Sequence, residues 1–73
     1  MEYTLFIRRY GRWLTFPTID ELREELRGYF TAREIAGGIV ERLTSFEGRK
    51  AGEDGYVKNQ YQDFETYFYP EEH

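Results

Sequence analysis

The chain lacks cysteine altogether, and it has one histidine, one serine, one tryptophan and two prolines in 73 residues. Without cysteine it has neither disulfides nor thiolate ligands. The single histidine is His73, within a stretch, 70–73, where fraying is expected. Any metal site is thereby restricted to carboxylates, which suit hard ions. Neither a Ser–His nor a Cys–His nucleophile pair can be assembled around Ser45. The expectation is a protein with no metal, no cofactor and no catalytic residue. No apolar run approaches the ~20 residues of a membrane-spanning helix. Met1-Glu2-Tyr3-Thr4 lacks the basic and apolar regions of a signal peptide, so a cytoplasmic protein is expected.

The usual large apolar core residues are also scarce. Leu, Ile, Val and Phe together number 17, about 23% of the chain, close to the level at which chains remain disordered. Seven Tyr, six Phe and one Trp make good the shortage, because each aromatic buries roughly 150–250 Å². Length and composition therefore predict one small folded domain, 1–73. The net charge of −4 is unevenly spread. Residues 51–73 hold only Lys58 against Glu53, Asp54, Asp63, Glu65, Glu71 and Glu72, which disfavours nucleic-acid backbone contact there and favours a basic partner.

Tyr3 to Phe16 alternates as a β-hairpin, with Leu5, Ile7, Leu14 and Phe16 on one face. A two-residue loop at Tyr10-Gly11 sets Ile7 opposite Leu14 and Arg9 opposite Arg12. Tyrosine is poorly suited to the positive φ of a type I′ turn, so a longer or bulged loop is the alternative. Thr18 and Glu21 form a capping-box pair that starts a helix, in which Ile19, Leu22, Leu26 and Tyr29 recur at helical spacing. Thr31 and Glu34 repeat the box. Beyond them Ile35, Ile39, Leu43 and Phe46 fit a helical stripe, but Gly37-Gly38 interrupts it at about 1 kcal/mol per glycine. The glycines favour a helix that ends there and a strand from Ile39 to Phe46. Residues 47–55, with three glycines and five charges, read as a loop. Tyr56 to Tyr69 carries six aromatics in fourteen positions and is read as strand, with a helix as the alternative. The fold class expected is α+β, roughly ββα(α)ββ, with a small antiparallel sheet packed on one main helix.

Thr31-Ala32-Arg33-Glu34-Ile35-Ala36 resembles the opening of the second helix of helix-turn-helix proteins. The turn and basic recognition helix that should follow are absent from Ile39-Val40-Glu41-Arg42-Leu43. An ordinary capped helix explains the same residues.

Two surfaces stand out as binding candidates. The first is the acidic-aromatic segment, in which Tyr61, Tyr67 and Tyr69 are anchors beside the carboxylates Asp63 and Glu65. Completion of a small core accounts for part of this aromatic set, and an edge strand paired in a homodimer would account for the remainder. The second is Arg8, Arg9, Arg12 and Trp13 at the hairpin tip, where guanidiniums and a ring suit an anion or nucleic acid. Neutralisation of the tip by the chain's own carboxylates is the structural alternative. In size and charge the chain resembles small phage-encoded inhibitors of host machinery. The acidic surface with its tyrosines points to a non-enzymatic protein that binds a basic target, such as a nucleic-acid-binding protein whose site it occupies, and the resemblance implies an inhibitor. The rival expectations are a nucleic-acid-binding module and a structural homodimer.

Overall fold

The computed structural model describes residues 1–70, and it folds the N-terminal alternation into β1 (Glu2–Ile7) and β2 (Arg12–Phe16). Their register differs from the one the two-residue loop dictates. Ile7 pairs with Arg12, Leu5 with Leu14 and Tyr3 with Phe16. The cause lies in the connection: Arg8–Tyr10 coils into a 3₁₀ turn closed by Gly11 at φ 58°, a left-handed conformation that glycine adopts without penalty. Four residues rather than two bridge the strands, which shifts the pairing by two positions. An even shift leaves every side chain on its expected face. Arg9, however, does not face Arg12.

After Pro17 the chain enters α1 (Ile19–Arg27). Thr18 Oγ1 accepts from the Glu21 amide at 3.2 Å. The Glu21 carboxylate takes the Thr18 hydroxyl rather than its amide, so only half of the expected box forms. Leu22 and Leu26 are fully buried. The second box, at Thr31 and Glu34, is complete and opens α2 (Ala32–Ala36).

Residues Ile39–Leu43 are helical (α3), which corrects the expected strand from Ile39 to Phe46. Gly38 sits at φ 93°, so the glycines occupy a junction between two short helices and not the interior of one. The apolar residues Ile39, Val40 and Leu43 then fall on one buried helical face, which overrides the strand preference of the β-branched pair. A turn at Gly37-Gly38 and a following helix are thus present where the sequence reading has neither; α3 spans only five residues and turns one acidic and one basic residue, Glu41 and Arg42, outward.

The loop expected over residues 47–55 is present. The aromatic-rich segment forms two strands, β3 (Val57–Tyr61) and β4 (Phe64–Tyr69), joined at Gln62-Asp63. The four strands make one antiparallel sheet in the order β2-β1-β4-β3. The α+β architecture is therefore as the sequence predicts. Cross-strand pairing places Tyr3, Leu5, Ile7, Phe64, Thr66, Phe68 and Val57 on one face. There they meet Leu22, Leu26, Ile39, Val40, Leu43 and Phe46 in the core. Thr66 is buried within it and donates to the Leu43 carbonyl at 2.5 Å. No helix among the described residues is long and apolar enough to cross a membrane. The expected frayed stretch lies, apart from Pro70, outside the described residues.

Candidate functional site

All three helices pack on one face of the sheet, and strand alternation commits the other residues to the opposite, helix-free face. These are Glu2, Thr4 and Phe6 of β1, Trp13 and Thr15 of β2, Lys58 and Gln60 of β3, and Glu65, Tyr67 and Tyr69 of β4. Five rings make a continuous row across it. Phe6 and Trp13 lie 4.3 Å apart between centroids, and Trp13 is 5.9 Å from Tyr67. Tyr67 meets Tyr56 edge-on at 5.2 Å, and Tyr56 is 5.6 Å from Tyr69. Such offset and edge-on arrangements suit the ring quadrupoles. Trp13, the only tryptophan, is 58% exposed.

Glu65 lies within this face and is only 6% exposed. Its carboxylate accepts from the Tyr67 hydroxyl and from Arg8 Nη2 at 2.5 Å, with Lys58 Nζ 3.5 Å away. The Tyr67 hydrogen bond leads, with help from Arg8 and Lys58, in holding the Glu65 carboxyl below the usual range despite burial. Burial and the same carboxylate push the Tyr67 phenol well above its ordinary value, and burial raises Tyr69 as well. An ionised carboxylate engaged by three donors is a poor general base. It acts here as a hub that fixes Arg8, Lys58 and Tyr67 around the aromatic row.

The two surfaces singled out in the sequence thus prove to be adjoining. The 3₁₀ turn stands beside the β3–β4 turn, where the Arg8 amide donates to the Asp63 carbonyl at 2.8 Å. Arg9 Nε donates to Asp63 Oδ2 at 2.9 Å. Arginines of the hairpin tip hold both Asp63 and Glu65, which is the neutralisation of the tip by the chain's own carboxylates that the sequence offers beside the binding reading. Tyr67, expected as an exposed anchor, is 8% exposed. Tyr61 lies on the helix side of the sheet, with the Arg42 guanidinium 5.4 Å from its ring centre. Tyr69 is half-buried at the end of the aromatic row. The tip is divided in the same way. Arg12 pairs with Ile7 and so faces the helix side, while Trp13 faces the open side; no described carboxylate pairs with Arg12.

Phe6, Tyr56 and Lys58 belong to the open face and were not among the candidates. Phe6 and Lys58 were findable by counting strand parity from Trp13 and Tyr67. Tyr56 immediately precedes β3 and shares the parity of Lys58 and Gln60, so the same count finds it. No group of three or more His, Asp or Glu residues that could hold a metal occurs among the described residues. Comparison with known proteins finds no matching family model, no matching curated protein and no matching solved structure.

Proposed function

We propose that this protein is a non-enzymatic binding module that docks another protein on its helix-free sheet face. The observation that carries the reading is Trp13, 58% exposed at the head of a five-ring row. A large aromatic held rigidly by neighbouring rings loses little entropy on docking, and tryptophan and tyrosine dominate interface hot spots. Arg8 and Lys58, held in place by Glu65, supply polar groups beside the rings. The partner we favour has a basic surface. Asp63 and Glu65 are engaged, and Asp20 and Glu24 of α1 are paired with Arg23 and Arg27, so the carboxylate that can steer it on the docking face itself is the exposed Glu2, opposite Tyr69. Occupation of a basic nucleic-acid-binding site would make the protein an inhibitor. A nucleic-acid-binding role for the tip has less support, since Arg8 and Arg9 hold carboxylates and Arg12 and Trp13 face opposite ways.

The sole tryptophan makes the test direct. Partners recovered with the intact protein are titrated against it, and the Trp13 emission is expected to shift on binding. Trp13→Ala should weaken association by ~2 kcal/mol or more, about 30-fold. Its stability should change by less than about 1 kcal/mol, because the ring is largely exposed. Undiminished binding by a folded Trp13→Ala protein would sink the reading.

A further inference from the structure

The two edges of the sheet are treated differently. At the β3 edge, Arg49 reaches back from the loop to donate to the Lys58 carbonyl at 3.1 Å and to Asn59 Oδ1 at 2.5 Å. Asn59 Nδ2 in turn donates to the Ser45 carbonyl at 3.1 Å, and the Gly52 amide donates to the Tyr56 carbonyl at 3.3 Å. This edge is closed by the chain's own loop and guarded by Lys58, as edge strands usually are. The β2 edge has no such cover. Among the described residues, no side chain or loop backbone hydrogen-bonds to Arg12–Phe16. The strand has one charge, at its first residue, and no proline.

We propose that two copies of this chain pair antiparallel through β2, about a two-fold axis at Leu14, into one eight-stranded sheet. The sequence of β2 is self-complementary in that register. Arg12 falls opposite Phe16 of the second copy, Trp13 opposite Thr15, and Leu14 opposite Leu14. Cross-strand partners share a face, so the two Trp13 rings become diagonal neighbours at roughly 7–8 Å on the open side, within reach of each other. The two aromatic rows join into one, which gives the exposed Trp13 a packing partner. On the helix side the half-buried Leu14 and Phe16 of each copy gain apolar neighbours. Arg12, which no described carboxylate of its own copy holds, is brought to the strand end from which Pro17-Thr18 leads into α1 of the other copy. The exposed Asp20 and Glu21 stand in the first turn of that helix, and opposite charges meet at both ends of the seam. Such an interface is isologous and closes on itself, so it stops at two copies. The alternative occupant of this edge is an extended segment of another protein, added as a fifth strand.

The full chain is examined by sedimentation equilibrium from about 1 μM to about 1 mM, a span that brackets weak and moderate dimers. A monomer–dimer equilibrium is expected, with the β2 amides more protected from hydrogen exchange at the high end. Thr15→Lys changes an exposed residue and sets two lysines diagonally across the seam, so it should weaken the dimer at least about tenfold while leaving the circular dichroism of the fold unchanged. Arg12→Glu, which removes the complementary charge, should weaken it in the same direction. A parent chain that stays monomeric throughout overturns the proposal, as does a dimer that Thr15→Lys leaves intact. So does protection of the β2 amides only when a peptide of another protein is added.

Discussion

At the scale of single residues, the buried Glu65 ties the largest number of separate observations together. Tyr67, Arg8 and Lys58 all lower the proton affinity of its carboxylate. Its folded value lies below the ordinary 4.5, so the stability it contributes is complete above that ordinary value. That contribution disappears as pH falls through the depressed value. Tyr67 works in the opposite sense. Its phenol holds its proton beyond the ordinary 10.0, so its contribution is complete below that pH and is lost as pH rises through the raised value. Glu65→Gln should therefore flatten the acid limb of stability against pH, and Tyr67→Phe the alkaline limb. Urea melts of each variant across both ranges provide the check. An unchanged acid limb in Glu65→Gln would mean that other carboxylates carry it.

Among the elements, α1 was the most legible because its cap, its period and its buried face all agree. Leu22 is fully buried against the sheet, and Leu22→Ala is expected to cost ~2–5 kcal/mol, as large-to-small core changes do. In a domain of this size that is a large part of the total stability, and a thermal or urea melt should show the loss directly. The α3 segment was misread for an equally physical reason. Ile39 and Val40 favour extended backbone locally, and a Gly pair before them looks like a helix stop. Only the tertiary core, with Ile39, Val40 and Leu43 facing it together, decides for a helix. The β1–β2 register turned on Tyr10: a two-residue loop needs it at positive φ as well as Gly11, and with only Gly11 left-handed the longer loop, the alternative the sequence offers, forms instead. The pattern of alternation did determine which side chains face the helices, and that part survived the shift.

Over the whole molecule, the sequence separated an acidic surface from a basic one, and the fold brings them together. Arg8 and Glu65 stand 57 positions apart in the chain yet 2.5 Å apart in space. Charge counted along the sequence could not reveal this, since it requires knowing that β1 pairs with β4. The open aromatic face was half legible. Trp13, Tyr67 and Tyr69 were singled out by composition, whereas their union with Phe6 and Tyr56 depends on strand order. Tyr61 was grouped with them because it is a neighbour in sequence, but it lies on the other side of the sheet.

The strand order β2-β1-β4-β3 also bears on how the protein is made. β1 is synthesised before β4, and its second ladder cannot form until residues 64–69 exist. Until then Leu5 and Ile7 have only β2 and the emerging helices to cover them. Domains generally fold as units, and contacts this distant in sequence slow the search for the native pairing. A nascent chain halted before β4 should therefore be protease-sensitive throughout the sheet, and resistance should arise in one step once residue 69 has cleared the ribosome. Arrest at successive lengths with brief proteolysis measures this; early resistance of residues 2–16 would show that the first hairpin stands without β4.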